Sequence, residues 1–300
     1  MEQYDIVIVG GGMAGLSAAL YAGWLGHKVL LAERQMFGGQ IVNADQIENY
    51  PGFSEGILGA DLVSQVRTQA LKFGAKMQYL EITSIEKHHE AFVLESNEDT
   101  YGAQSVIVAT GGNPRHLGIK GEAELEGLGV SRCATCDGAF FADKPVVVLG
   151  GGDTALDEAL FLADIASKVT IIHQTEQPTA SAALVKRARG MEKIEWITAA
   201  SATEIVGSGS VEAVRLNNDT QIVSAAVFIA IGFEPETALL TSLIEIDPMG
   251  HAPVDLHMQT SMPGLFAIGS ARQGSAGQIS SVTGDGVTAA IFSHRYISTK

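Results

Sequence analysis

The opening of the chain changes character segment by segment. A continuous apolar run, Ile6-Val7-Ile8-Val9, meets three glycines. A stretch with apolar residues at three- and four-residue spacing follows, and then a second apolar run over residues 28–32. Unbroken β-branched runs predict strands buried on both faces, and the intervening spacing predicts a helix. The unit occurs twice: residues 4–33 align without a gap on residues 144–173. Gly10, Gly11 and Gly12 match Gly150, Gly151 and Gly152, while Leu16, Ala19 and Leu20 match Leu156, Ala159 and Leu160. Lys28-Val29 matches Lys168-Val169. Strands separated by helices imply a parallel sheet covered on both faces.

Between the copies, residues 78–108 read as several short strands with charged turns. They end at Ala109-Thr110-Gly111-Gly112-Asn113-Pro114. A matching apolar strand over residues 225–231 ends in Gly232-Phe233-Glu234-Pro235. The two breaks mark crossings between domains, and the segment around Leu265-Phe266-Ala267-Ile268-Gly269 with a final helix returns to the first domain. The expected fold is α/β, with two dinucleotide-binding, Rossmann-like, three-layer domains, the second inserted in the first. The first covers residues 1–113 and 245–300, the second residues 114–244.

Composition narrows the class. With 300 residues and 46% hydrophobic content the chain can bury full cores. A formal net charge of −15 opposes broad attraction to nucleic acid or an anionic membrane. Residues 6–26 carry no charge, but Glu2 and Asp5 precede them and three glycines interrupt them, so they read as a strand, turn and helix, not a membrane span or signal segment. The two cysteines stand as Cys133-Ala134-Thr135-Cys136. A reducing, cytoplasmic setting with a catalytic pair suits that spacing better than a disulfide framework.

Three motifs carry chemistry. Gly10-x-Gly12-x-x-Gly15 follows a strand and opens a helix, and Glu33 ends the next strand. Such glycines allow a tight turn and close approach of a pyrophosphate, the helix N-terminus favours anions, and Glu33 would accept hydrogen bonds from an adenosine ribose. The second copy, Gly150-x-Gly152 with Asp153, Thr154 and Ala155, keeps the turn but has His173 where Glu33 stands. It suits a second dinucleotide, with an inherited scaffold whose pocket is unused as the alternative. In Cys133-Ala134-Thr135-Cys136-Asp137, one thiolate can attack a disulfide, its neighbour resolve it, and the carboxyl exchange a proton with the leaving sulfur. Zinc needs four ligands, and with no further cysteine and no histidine at ligand spacing, no metal site is expected.

These motifs come in an order that resembles the low-molecular-weight thioredoxin reductases over essentially the whole chain. Phe37-Gly38-Gly39-Gln40, Glu48-Asn49-Tyr50-Pro51-Gly52 and Gln278 before Gly284-Asp285-Gly286 complete the likeness. The resemblance implies an FAD in the first domain, held at the turn by Gly10, Gly12, Met13, Ala14 and Gly15. Glu33, Arg34, Gly39, Gln40 and Asn49 would follow, then Ala109 and Thr110, and lastly Gly269, Ser270, Gln278 and Ile279. It further implies that Cys136 meets the flavin, Cys133 forms the mixed disulfide with a thioredoxin-like protein, Asp137 acts as acid and base, and the enzyme is a homodimer whose domains rotate.

Two departures stand out. The family reads the 2′-phosphate of NADPH with His-Arg-Arg-x-x-x-Arg, because guanidinium forks match phosphate oxygens. Here the stretch is His173-Gln174-Thr175-Glu176-Gln177-Pro178-Thr179, and Lys186, Arg187 and Arg189 read as a solvated helix face. Ser270 stands where the family has an aspartate, and Gly277 where an arginine precedes the glutamine. The expected donor is therefore not NADPH. Ferredoxin or a second flavin in the second domain is expected, with NADH use and a non-catalytic flavin sensor as alternatives.

Overall fold

The computed structural model describes residues 1–44, 46–97 and 99–300. The first apolar run forms β1 (Glu2–Val9), followed by α1 (Met13–Trp24), β2 (Val29–Glu33), α2 (Gly59–Lys72) and β3 (Lys76–Tyr79). A meander of β4 (Ile82–His88) and β5 (Ala91–Ser96) leads into β6 (Thr100–Val108). The order β3-β2-β1-β6-β5-β4 is parallel from β3 to β6 and antiparallel beyond. Alternation along β1 feeds two cores. Ile6 and Ile8 pack with Leu16, Ala19 and Leu62 of the helices, while Val7 and Val9 pack with Phe92 and Leu94 of the meander. Helices thus cover one face of the parallel strands, and on the other the sheet's own meander shares a core with Leu240 and Ile244.

Past β7 (Gly112–Pro114) the second unit repeats the plan with β8 (Val130–Ser131), α3 (Ala134–Asp137), β9 (Pro145–Leu149), α4 (Asp153–Ile165), β10 (Lys168–Ile172), α5 (Ala182–Arg189) and β11 (Ile194–Ile197). An antiparallel sheet of β12 (Ala202–Gly207), β13 (Val211–Leu216) and β14 (Gln221–Val223) precedes β15 (Ala226–Ile229). The main sheet runs β11-β10-β9-β15-β8, all parallel. Val146 and Val148 face Leu156, Ala159 and Leu162 of α4, and Val147 and Leu149 face Ile205 and Val214 of the antiparallel cover. The sequence reading did not foresee that cover.

The chain then passes through β16 (Phe233–Pro235), which pairs with β7, to β17 (Leu265–Ala267) and α6 (Ile279–Ser298). β17 joins β6 in parallel, and α6 lies along α1. The units comprise residues 1–113 with 234–300, and residues 114–233. The return therefore comes at Phe233/Glu234, not at 244/245 as the sequence suggested. Leu240 and Ile244 account for the difference, because they bury their side chains with Val7 and Phe92 in the first unit's core. Among the described residues no helix is long and apolar enough to cross a membrane.

Two contacts fix the returning helix. A Cβ on Gly286 would stand 2.3 Å from the Ala14 carbonyl oxygen and 2.9 Å from Ala18 N, so α6 lies directly on the backbone of α1. Farther along, His27 Nε2 and His294 Nδ1 are 2.9 Å apart, and Asp5 Oδ2 is 3.6 Å from His27 Nδ1. Burial holds His27 below its ordinary value of 6.5, and His294 adds to the effect against the pull of Asp5.

Gly286→Ala is expected to lower stability by about 1–3 kcal/mol through overpacking, read as a drop in urea midpoint at constant m-value. His27 is favoured neutral in the folded state, so the unfolded chain takes up the extra proton first as pH falls below 6.5, and stability declines from there downward. His27→Asn is expected to lose less stability than the native chain between about pH 7.5 and about pH 5.5. Equal losses in the two urea series would contradict this account.

Candidate functional site

The first glycine turn is built for close approach. Gly10 has φ +106°, and a Cβ there would lie 2.3 Å from the Ala109 carbonyl oxygen. One on Gly15 would lie 1.9 Å from the carbonyl oxygen of Gly10. By contrast, a Cβ on Gly12 would meet nothing within 4 Å. That open space lies at the N-cap of α1, where no side chain caps the helix and no acidic residue occupies the first turn. The end of α1 is thus free to meet an anionic group with its backbone N–H donors.

Around the turn the other named residues gather. Glu33 accepts the N–H groups of Gly11 and Gln35, each at 2.7 Å, which holds its carboxylate at the turn. Gly39 opens a short 3-10 helix (Gly39–Asn43) that presents Gln40 to solvent, and Gly12 bridges to Gly38. Asn49 Nδ2 donates to Gln278 Oε1 at 3.2 Å, bringing together two residues far apart in sequence. Arg34 reaches Asn113 Oδ1 at 3.2 Å. Ala109 N donates to the Val9 carbonyl, and the Thr110 hydroxyl to the Glu236 carbonyl. Met13 and Ala14 are buried in the first turn of α1, and Ile279 begins α6 with Gln278 as its N-cap.

Ser270 is exposed beside Gly269, whose N–H donates to Asp285 Oδ2 at 3.1 Å. Arg272 pairs with the same carboxylate through two nitrogens, at 2.7 and 2.9 Å. The sequence reading missed this buried pair. Its signal was Arg272 close after Ser270 and Asp285 inside the glycine pair of α6.

The second glycine turn has the same skeleton and opposite electrostatics. Gly150, at φ +142°, would place a Cβ 2.1 Å from the Ala230 carbonyl oxygen, and Ala155 is fully buried in the third glycine's place. Here the first turn of α4 contains Asp153, whose Oδ1 accepts the Ser181 N–H at 2.6 Å. Thr154 beside it is exposed. Thr179 N and Ala180 N both donate to the Gly151 carbonyl, so the 174–181 segment folds back over the turn. His173 is buried. The Thr175 hydroxyl donates to the Gln177 carbonyl, so His173 Nδ1 at 3.2 Å supplies the proton to Thr175 Oγ1. Burial lowers its basicity. Lys186, Arg187 and Arg189 are exposed on α5, and Arg189 donates to Gln177 Oε1.

The redox pair occupies a turn of its own. Cys133 and Cys136 are joined as a disulfide, with Cys133 half-buried at the N-cap of α3 and Cys136 exposed. Cys136 N donates to Cys133 Sγ at 3.2 Å, a contact that favours negative charge on that sulfur. The Ser131 hydroxyl donates to Asp137 Oδ2 at 2.6 Å and accepts the Cys133 N–H at 3.1 Å, linking the carboxylate to the cysteine backbone. Just before the pair, buried Glu122 receives Arg132 at 2.8 Å and the N–H groups of Leu117 and Gly118. Burial opposes its charge, but these donors prevail and hold it below the usual carboxylate range. Ser131, Glu122 and Arg132 were not singled out from sequence. Among the described residues no group of histidine, cysteine and carboxylate side chains could hold a metal.

Residues 4–286 match the family described as pyridine nucleotide-disulphide oxidoreductase. The chain is 38% identical to a thioredoxin reductase of Mycolicibacterium smegmatis, over 98% of this chain and 97% of the relative. The solved thioredoxin reductase of Lactococcus lactis, in a form named the FR conformation, superposes with a TM-score of 0.96 at 37% identity, covering 99% of this chain and all of the other. A ferredoxin-flavin thioredoxin reductase of Clostridium acetobutylicum aligns over the whole of both chains at 29% identity and a TM-score of 0.56. The turn that fits a dinucleotide pyrophosphate, the Cys133–Cys136 pair and these likenesses agree: the chain belongs to the pyridine nucleotide-disulphide oxidoreductase family, among the thioredoxin reductases, and is an FAD-dependent disulfide oxidoreductase.

Proposed function

We propose that the chain reduces a thioredoxin-like protein disulfide through Cys133 and Cys136, drawing electrons from a donor other than NADPH. The observation that carries the donor reading is the second glycine turn. NADPH brings a pyrophosphate and a 2′-phosphate, and the residues that would meet them are Asp153 at the helix N-terminus and Gln174, Thr175, Glu176 and Thr179 along the loop. No arginine stands in that loop to grip a 2′-phosphate, and Asp153 places a carboxylate in the first turn of the helix. Ferredoxin is the favoured donor class, and the likeness to a ferredoxin-flavin thioredoxin reductase supports it.

In the first unit, the uncapped end of α1, Glu33, Gln40, Asn49 and Gln278 are the residues that would hold FAD, which supplies two-electron transfer when bound. The protein's own residues do the rest. Cys133, half-buried with a backbone N–H aimed at its sulfur, is the attacking thiolate, and Cys136 resolves the mixed disulfide. Asp137, held by Ser131, exchanges protons with the sulfurs.

A second reading keeps the nicotinamide but removes its phosphate. His173, kept neutral by burial, stands in the ribose-binding position and would tolerate a 2′-hydroxyl better than a 2′-phosphate. NADH is then the donor.

Anaerobic titration of the flavin band separates these readings. Reduced ferredoxin is expected to bleach the flavin rapidly while NADPH does so at least about a hundredfold more slowly, the loss expected when guanidinium–phosphate contacts are missing. Fast bleaching by NADPH would overturn the donor assignment, and fast bleaching by NADH alone would establish the second reading. Cys136→Ser is expected to retain FAD and to lose disulfide turnover by on the order of 10³-fold or more, as loss of a covalent participant does. Undiminished turnover would remove the dithiol from the reaction.

A further inference from the structure

Glu158 lies on α4, behind the redox turn, and takes no part in the steps above. Its carboxylate accepts the N–H of Ala134, the first residue of α3, and its Oε2 is buried without a hydrogen-bond partner. That N–H belongs to the peptide joining Ala134 to Cys133, so the carboxyl lies one peptide group from the cysteine backbone. Ala134 packs with Leu156, Ala159 and Leu162 of α4 in one apolar core, which excludes water from that side.

Charged groups on the neighbouring elements surround Glu158. Asp157 is next to it on α4, and Asp137 at the far end of α3 is engaged with Ser131. From α5, the cations Lys186, Arg187 and Arg189 all face solvent. β9 carries no titratable group, and on β10 Lys168 is exposed and pairs with Glu195. Burial therefore pushes the Glu158 carboxyl up to about 7, with Asp157 adding to the shift and the Ala134 N–H opposing it. A buried carboxyl so placed changes protonation when a charge appears nearby.

We propose that Glu158 is a positioning residue that holds the second proton of disulfide reduction, leaving the pair as one thiol, one thiolate and one neutral carboxyl. The proposal rests on the reductase reading only for its use in turnover. Two electrons from a dithiol-class reductant break the Cys133–Cys136 bond and leave an electron pair on each sulfur. One proton goes to Cys136. The other goes to Glu158, and Cys133 remains a thiolate facing the Cys136 N–H and the Thr135 hydroxyl. When a partner disulfide is reduced, Cys133 and Cys136 re-form their bond, and the two protons leave with the partner's two sulfurs.

The test is the midpoint potential of the Cys133–Cys136 pair in the FAD-loaded full chain, poised in dithiothreitol buffers and read by thiol alkylation between about pH 7.5 and about pH 8.5. Two protons per two electrons change the equilibrium constant a hundredfold per pH unit, and one proton changes it tenfold, or 29.6 mV. The native chain is expected to follow the first slope and Glu158→Gln the second. The glutamine still accepts the Ala134 N–H, so a purely structural role leaves the slope unchanged. Parallel slopes would overturn the proposal. A second readout needs no variant: the reduced-minus-oxidised infrared difference spectrum of the native chain should gain a protonated-carboxyl band, and its absence would equally overturn the proposal. If the slopes differ while the native chain fails to reduce any thioredoxin disulfide, the reductase reading falls and Glu158 keeps its role. Normal turnover with parallel slopes has the opposite meaning.

Discussion

Everything in the two units is arranged around one close approach: a glycine turn lying against the carbonyl of the residue where the sheet lets the chain go. In the first unit Gly10 sits on Ala109, and in the second Gly150 sits on Ala230. Any side chain at either glycine would overlap that oxygen, and both glycines take positive φ, where a Cβ is unfavourable in any case. The approach brings the start of the following helix to the C-terminal edge of the parallel strands. In an open α/β sheet that edge is where a ligand meets backbone donors and the helix dipole together. Ala109 and Ala230 also stand just before Gly111-Gly112 and Gly232, close in sequence to the two crossings between the units.

Given a common skeleton, what each unit can hold depends on few side chains. The first presents bare N–H groups at α1 and a carboxylate, Glu33, set back at the end of β2, where it accepts the N–H groups of Gly11 and Gln35. The second places its carboxylate on the helix itself, at Asp153, and a neutral imidazole at the strand end. Moving a carboxylate between those positions changes the charge at the helix end while leaving the backbone unchanged. The fold alone therefore says little about the donor, and the side chains at these few positions say more.

The repeat was legible because it is written in backbone requirements: glycines at fixed spacing, unbroken apolar strands, small residues where helix meets sheet. Those features depend on local geometry and hold wherever the chain is folded. The antiparallel cover of β12 to β14 was not legible, since Ala202–Gly207 and Val211–Leu216 carry the mixed polar and apolar alternation of an ordinary surface hairpin. The return point was misplaced for a related reason. Residues 234–244 hold no motif, and only the burial of Leu240 and Ile244 assigns them to the first unit. The site divides in the same way. Cys133, Cys136, Asp137 and Glu33 announce themselves by spacing, whereas Ser131 and the Asn49–Gln278 contact depend on tertiary structure.

Glu158 shows the limit most clearly. In Leu156-Asp157-Glu158-Ala159 two adjacent acids on a helix look alike, and both would be expected to face water. The helix turns by about 100° per residue, so Asp157 points outward while Glu158 comes round toward the redox turn, where α3 covers it. Gly138 eases that cover, since a Cβ there would crowd the side chains of Leu162 and Phe161, at 3.1 and 3.3 Å. The glycine after Asp137 thus does more than end the motif. By letting the redox turn settle onto α4, it places a water-shielded carboxyl behind Cys133 and a hydrogen-bonded one, Asp137, beside it. The two carboxyls are then unlike in environment: Glu158 is shielded from water and easily protonated, and Asp137 is hydrogen-bonded by Ser131.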